Sequence, residues 1–477
     1  MSRTHRPTPA AVDGGSAHAE TKETRNAVFG AWLGFYVDMF DIYLPVLALA
    51  PAAAYFKATG VSDGTNAIIN AMIFAATLLG RPVGAVLFGH LADRIGRRRV
   101  TIAAVSGFGA VTLVIAALPG YATWGMTAVV LLILLRFLDG VFLGGEYTSA
   151  TPLALEHSPK HRRGLNGALI MTGYPLAYCT VALITYALLK LIPADGLDSP
   201  YVQWGWRIPF VIGALLAFGF VWWFHREVTE SPAWAEEAEK SRDPRERPAK
   251  RESSLVALFR GAGKRDFLQV FLMMTGVWGS LNMISAVLPG TLDDPVGLSA
   301  TQVSVVLIVT YLFVTAGYVA AGVISQRTGR RPSLVVSGVL VIVASPTVYG
   351  LIVAGVVSGL AAVTLLVIVL GVVTLSLWGV ITTYINERFH TGVRASGYGL
   401  GYSLAVIIPS FYAFYQSGLA SFMSEDYTPL VLLVISGALI VVGALAGPET
   451  RDVDMRTAEP ARRARGGPTS HEPTEVS

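Results

Sequence analysis

Five ionisable side chains interrupt stretches that are otherwise apolar. Asp38 and Asp41 stand three residues apart, Arg81 precedes Pro82, and Arg136 and Asp139 are again three apart. A spacing of three puts both members of a pair on one face of a helix. A charge at the centre of a bilayer costs about 2.5–3.5 kcal/mol, so such groups face a wet cavity or one another. Three acids against two arginines leave one carboxyl able to titrate. In a partly dry cavity a carboxyl favours its neutral form, and a nearby guanidinium favours the charged one. A carboxyl whose arginine is captured by an anion therefore gains a proton more readily. Arg81 offers planar, bidentate recognition of a carboxylate or phosphate; its alternative role is counter-ion to Asp38 or Asp41. Pro82 removes a backbone donor and favours a kink beside it. Asp139 reads as an intrahelical partner of Arg136.

The elements that must hold these groups follow from composition. The chain has 477 residues, 53% hydrophobic and only 14% charged, where a soluble protein carries about 25% charged residues. A large soluble enzyme is excluded. Apolar runs of membrane-spanning length fall at about 27–50, 67–89, 100–118, 126–150, 164–189 and 208–224, and again at about 267–289, 303–325, 333–354, 358–384, 396–420 and 428–447. About 20 residues suffice for each crossing. The first run is too long for a signal-peptide core. The single cysteine, Cys179, excludes a disulfide framework and a cysteine metal site. The histidines lie mostly in tails and loops, so no metal or cofactor is expected beyond a coupling proton. No Gly-Lys-Ser/Thr phosphate loop supports ATP-driven work.

Of the 36 lysines and arginines, 31 fall in the N-tail, the C-tail and alternate loops, including ten at 225–266. Only Lys57, Lys190 and Arg207 fall on the other side. The positive-inside rule then places both termini and the central loop in the cytoplasm. The halves also repeat. Gly89-His-Leu-Ala-Asp93-Arg-Ile-Gly96-Arg97-Arg98 returns as Gly322-Val-Ile-Ser-Gln326-Arg-Thr-Gly329-Arg330-Arg331, 233 residues later. Glu156 and Arg163, seven apart, are echoed by Glu387 and Arg394. The expected organisation is an N-tail (1–26), a six-helix bundle (27–224), a cytoplasmic linker (225–266), a second bundle (267–447) and a charged, Pro-rich C-tail (448–477) that reads as disordered. Parallel repeats of this kind place a site between the halves, near the midplane.

The loop at Gly89–Arg98, and Pro448-Glu449-Thr450 after the last helix, resemble the major facilitator superfamily. Three further stretches resemble its metabolite:proton symporter branch: Arg81-Pro82-Val-Gly84; Arg136 through Gly140, Gly144, Gly145 and Glu146; and Trp204-Gly-Trp-Arg-Ile-Pro-Phe210. The resemblance implies an all-α membrane protein, with twelve transmembrane helices in two parallel six-helix repeats. It also implies transport of proline or betaine, 2-oxoglutarate, shikimate or citrate with protons. The first helix departs from the family's Gly-Asn-x-x-Glu-Trp-Phe-Asp: Gly34-Phe-Tyr-Val-Asp38-Met-Phe-Asp41 keeps both acids but lacks the Asn and Trp. By their match to those acids, Asp41 and then Asp38 are the candidate proton-coupling residues. Gly89, Asp93, Gly96, Arg97 and Arg98 are expected to form a cytoplasmic gate. Gly89 and Gly96 would allow tight turns, Asp93 would cap a helix start, and Arg97 and Arg98 would reach acids nearby. The copy carrying Gln326 is expected to latch more weakly.

Candidate substrate-binding residues are Arg81, Tyr174, Trp278 and Asn282, with Tyr178, Trp378, Tyr384, Tyr398 and Tyr402 on helices that commonly line such a cavity. Arg136 and Asp139 complete a charge network, while Gly140, Gly144 and Gly145 suit close helix packing. The expected function is proton-coupled uptake of a small organic acid or zwitterion across the cytoplasmic (inner) membrane. Its partners are solute, proton and bilayer, with no nucleic acid. The rival reading is proton-driven export, which the fifth helix disfavours: Gly173-Tyr174-Pro175 lacks the glycine pair usual in such antiporters. A non-transporting sensor would need a folded module that the central loop lacks. The orientation is testable by single cysteines in a Cys179→Ser background. Positions 195 and 293 should label from outside intact cells and position 253 should not; external labelling at 253 overturns the scheme.

Overall fold

The computed structural model describes residues 14–95, 97–156, 158–227, 258–259, 261–389, 394–453 and 455. Each apolar run forms a helix, because in hydrocarbon only a helix or a closed barrel satisfies its own amides and carbonyls. Among the described residues, twelve helices are long and apolar enough to span a membrane. They are α1 (Thr24–Leu47), α2 (Gly64–Phe88), α3 (Arg98–Ala116), α4 (Met126–Gly145), α5 (Lys160–Leu191), α6 (Tyr201–Glu227), α7 (Gly263–Asp293), α8 (Ala300–Thr328), α9 (Arg330–Val353), α10 (Leu360–Arg388), α11 (Ser396–Leu419) and α12 (Glu425–Ala446). With twelve crossings among the described residues, Thr24 and Ala446 lie on one side, here called the terminal side. The ends of α6 and α7 reach a few residues into the stretch read as linker, to Glu227 and from Gly263. The expectations for the N-tail, most of the linker, including Ser253, and most of the C-tail fall outside the described residues.

Helix α2 continues through Pro82 as part of one helix over Asp63–Ile95. Gly89 lies inside that helix, and the next begins at Arg97. The expected turn at Gly89 is thus a further helical turn, and Asp93 sits near a helix end rather than at a start. Gly96 is outside the described residues, and of the Asp93 and Arg97 side chains nothing is described. Helices α5, α7, α10 and α11 are interrupted well inside their spans. α5 breaks at Thr172, between Arg163–Met171 and Gly173–Leu191. α7 widens into a π-turn at Met283–Val287, α10 breaks before Trp378, and α11 passes through a 3-10 turn at Leu404–Val406. Such interruptions inside a membrane are tolerated where the backbone is covered by protein or lines a cavity.

Packing brings the ionic residues together. α2 lies along α4, α1 against α5 and α4, and α3 against α4 and α6. The later helices pack likewise, α9 and α7 on α12 and α8 on α10. Between the halves, α5 meets α8 and α10, and α11 meets α2 and α4. The α2–α4 approach is set by glycines on both sides. A Cβ on Gly84 would lie 1.9 Å from the Val141 carbonyl oxygen, and one on Gly144 would lie 2.1 Å from the Arg81 carbonyl oxygen. Backbone cannot rotate away as a side chain can, so these positions exclude any larger residue. Gly144→Val should sharply reduce the yield of folded, monodisperse protein. Gly219→Ala, where nothing lies within 4 Å, should melt within about 1 kcal/mol of the parent. Normal yield and melting of Gly144→Val would show that the helices can part freely.

Candidate transport site

The five ionisable residues converge in the first half of the chain. All five are at most 1% exposed. Arg81 on α2 donates through Nη2 to Asp38 Oδ2 on α1. Arg136 Nη1 on α4 lies 2.9 Å from Asp41 Oδ2 and 3.0 Å from Asp139 Oδ2. Arg136 Nη2 also reaches the carbonyls of Asp41 and Ile42, at 3.3 and 3.4 Å. Thr112 on α3 donates to Asp41 Oδ1 at 2.6 Å. Asp139 is thus more than an intrahelical partner: it shares one guanidinium with Asp41. Neither Asp139 oxygen receives a hydrogen bond, and Asp38 Oδ1 receives none. The chain has placed two carboxyls on one guanidinium beside a simple Arg81–Asp38 pair.

Two aromatic layers face this ionic core. In the first, Tyr178 of α5 stacks on Tyr311 of α8 with centroids 3.8 Å apart and planes at 9°. The Tyr174 hydroxyl bonds Ser285 of α7, and lies 2.9 Å from the Tyr311 hydroxyl. Tyr178 donates to the Ser285 carbonyl at 2.9 Å. Ser285 lies in the π-turn of α7, a distortion that frequently marks functional positions. In the second layer, Trp278 (α7), Trp378 (α10) and Tyr402 (α11) meet edge to face, with centroids 5.0–5.8 Å apart. The Trp278 Nε1 donates to the Tyr402 carbonyl at 3.0 Å, and Tyr398 packs on Tyr402. Asn282 Nδ2 donates to the Pro409 carbonyl at 3.0 Å, tying α7 to α11, while its Oδ1 is unpartnered. Tyr384 stands apart, with Gln269 and Gly447.

Away from the termini the halves part around a cavity of about 670 Å³, lined by the ends of α1, α2, α7, α8, α11 and α12. Ser285 on α7 and Tyr311 on α8 lie just beyond the cavity-lining Ala286 and Leu307 of the same helices. On the terminal side the halves are bound together. The two repeated acid–base pairs exchange partners: Arg163 lies 3.4 Å from Glu387, and Arg394 lies 2.5 Å from Glu156. Glu387 also holds Arg330 at 3.2 Å and accepts from Thr450 at 2.9 Å. Glu449 accepts from the amides of Arg330 and Arg331 at the start of α9, where helix dipole and free amides favour an acid. Gln326, expected to make the weaker latch, crosses between halves: it accepts from the Gly164 amide at 3.0 Å and donates to the Lys160 carbonyl at 3.2 Å. An amide can do both, whereas a carboxylate only accepts. Arg98 reaches the His225 carbonyl at 2.5 Å.

This geometry can be set beside known proteins. The family described as sugar (and other) transporter matches residues 28–461. The chain belongs to that family. Among its relatives, the inner membrane metabolite transport protein YhjE of Escherichia coli is 29% identical over 90% of this chain and 95% of its own. The shikimate transporter of Escherichia coli is 26% identical, covering 87% and 92%, and the proline/betaine transporter of Salmonella typhimurium is 24% identical, covering 92% and 86%. The fold is similar to that of the proton:xylose symporter XylE bound to 6-bromo-6-deoxy-D-glucose, with a TM-score of 0.66 at 17% identity over 90% of this chain and 97% of that one. The architecture is therefore the twelve-helix major facilitator fold, and this family member is a multi-pass membrane transporter of small molecules.

Several residues of the site escaped the sequence reading. Tyr311 and Tyr318, whose rings both pack against Tyr174, are seven apart on α8, a helical repeat that a search for aromatic faces would have found. Thr112 and Ser285 carry no such signal, since a hydroxyl in an apolar run usually bonds its own helix. Glu387 is the centre of the terminal closure, and removing one member of a buried pair costs about 3–5 kcal/mol. Glu387→Gln should therefore loosen this end. A cysteine placed at Thr383, which is buried beside Arg163, should then react with an aqueous maleimide at least about tenfold faster, since each 1.4 kcal/mol is tenfold. An unchanged rate would mean that apolar packing alone keeps the end shut.

Proposed function

We propose that this transporter is a proton-coupled symporter that imports a small organic acid or zwitterion by alternating access. It resides in the cytoplasmic membrane with both termini inside, as the lysine and arginine placement supports. Relatives named as transporters of shikimate, proline/betaine and alpha-ketoglutarate support solutes of this size and charge. The observation that carries the reading is the sharing of Arg136 between Asp41 and Asp139. With all five groups charged, the core holds one excess negative charge, which a single proton removes.

The two carboxyls divide the work. Asp41 is held by Arg136 and Thr112. Asp139 has no donor of its own, so the proton resides there and makes Asp139 the donor to Asp41. This revises the ranking drawn from the first helix, in which Asp41 and Asp38 came first. Asp38 belongs to the substrate arm: a solute carboxylate that takes Arg81 displaces it. When the proton leaves, two anions compete for one guanidinium, and α1 and α4 no longer fit together as before. Solute and proton thus bear on the same helix, α1, one turn apart. The 27–224 and 267–447 bundles then rock about the site between them, closing at the far side as the terminal pairs open.

Asp139→Asn keeps the shape and supplies a permanent donor to Asp41. In proteoliposomes it should lose solute accumulation driven by an inward proton gradient, while exchange of labelled for unlabelled solute survives. In the parent, initial uptake should fall as external pH rises, because the unprotonated core cannot complete the cycle. Accumulation by Asp139→Asn with the parental pH dependence would place the proton elsewhere.

A further inference from the structure

The C-tail, read from composition as disordered, begins with a seated segment. Past the end of α12, Glu449 to Val453 and then Met455 lie across the terminal side, from the second half toward the first. The segment starts on its own half. Glu449 caps α9, Thr450 bonds Glu387, and Arg451 Nη1 donates to the Arg327 carbonyl at 2.9 Å. A turn follows, closed by the Val453 amide on the Thr450 carbonyl at 3.0 Å.

Beyond the turn the partners change sides. Arg163 of α5 donates through Nη1 to the Val453 carbonyl at 3.1 Å. Met455 is 3% exposed. It packs in a small apolar cluster of its own, with Ala31 of α1, Ala154 and Leu155 where the α4 helix continues to Glu156, and Ile170 of α5. Ala27 and Val28 of α1 pack against the same cluster; Ala27 and Ala31, four apart, share one face of their helix. Every residue of this socket belongs to the first half. The backbone of Met455 is held by the second, through Arg394 Nη2 on its carbonyl at 3.1 Å. From Arg451 the chain reaches at most about 14 Å by Met455, even fully extended. A wide opening of the terminal side must therefore draw Met455 from its socket.

Burial decides which of these contacts matters. The Lys160–Asp452 pair spans 3.7 Å between side chains 50% and 70% exposed, and exposed pairs contribute little. The methionine is different. Withdrawing one apolar side chain of this size from a dry socket shifts an equilibrium by about ten- to hundredfold. Its unbranched thioether adapts to irregular gaps, and the small alanines leave room for it. A segment that binds only one conformation favours that conformation by its differential affinity.

We propose that Val453 and Met455 form a releasable clasp. A surface of the first half, made by α1, α4 and α5, holds the chain's own C-terminal segment while the terminal side is closed and lets it go as that side opens. The clasp rests on the alternating-access reading above, but on neither its solute nor its proton.

The test uses the purified full chain in lipid nanodiscs, with Cys179→Ser and one reporter cysteine at a time. Thr383→Cys reports on the terminal side, and Ala71→Cys on the cavity away from the termini, which Ala71 lines. Each is read by its rate with an aqueous maleimide. Met455→Asp should speed labelling at Thr383→Cys by about ten- to hundredfold and slow it at Ala71→Cys. Met455→Leu, which nearly conserves volume, should stay near the parental rate. A parental rate at Thr383→Cys in Met455→Asp overturns the clasp. So does Met455→Leu as fast as Met455→Asp, because apolar burial would then not be what holds. A disulfide decides the matter if Met455→Asp fails to fold. Met455→Cys and Leu155→Cys are oxidised with copper phenanthroline, and the pairing is confirmed by peptide mass spectrometry. Labelling at Thr383→Cys should then be at least about tenfold slower than in the same protein after reduction. Equal rates would mean that the segment stays docked throughout, and a pair that does not form would mean that it never docks; either outcome ends the proposal. Faster labelling at Thr383→Cys in Met455→Asp with no slowing at Ala71→Cys would uphold the clasp and sink alternating access.

Discussion

A charge inside hydrocarbon must find its opposite within a few ångströms, and this requirement shapes the protein around Arg136. Water cannot supply the missing counter-charge at a site where five ionisable groups are almost wholly covered. The chain answers with a two-to-one arrangement, Asp41 and Asp139 about a single guanidinium, next to a one-to-one pair, Arg81 and Asp38. A balanced set would be a permanent strut. An unbalanced set leaves one carboxyl without a cation of its own, and Asp38 and Asp41, which anchor the two arrangements, stand one turn apart on the same helix.

The halves contribute different chemistry to this centre. The first six helices carry the charges, together with Tyr174, Tyr178 and Thr112, whereas the last six offer rings, hydroxyls and a widened turn. Backbone approach holds the charged side rigid: the Gly84 and Gly144 contacts fix α2 on α4, so Arg81 and Arg136 ride on one locked unit. The aromatic side is built from interrupted helices, α7, α10 and α11, whose backbones can shift with less loss of hydrogen bonding. The ionic side is thus held by close backbone contact, while the aromatic side is carried on helices whose hydrogen bonding is locally interrupted.

Much of this was legible in the sequence, because membrane spans and intramembrane charge leave signals that burial in water-soluble cores does not. The twelve runs, the charged residues and the duplicated loop motifs all mapped onto helices within a few residues. Pairing was not legible. Spacing showed that Arg136 and Asp139 share a face, but not that α1 brings Asp41 to the same nitrogen, since that depends on how helices cross. The duplicated loop motif misled in a second way. Gln326 read as a weakened acid, yet an amide both gives and receives, and it bridges the halves through Gly164 and Lys160. Ser285 was invisible because its importance comes from a local widening of α7 that no residue type announces.

The exchange of partners on the terminal side has a consequence of its own. Glu156 and Arg163 in one half meet Arg394 and Glu387 in the other, so a patch bearing an acid and a base seven residues apart satisfies itself against its own duplicate. That is the logic of an isologous dimer interface, in which one surface is its own complement. Gene duplication followed by fusion would yield such a closure ready made, with no need for two surfaces to evolve toward each other. It also makes the closure adjustable by halves. Substitution in one copy removes one of two equivalent contacts and leaves its twin in place, so the strength of this closure can drift gradually without being lost.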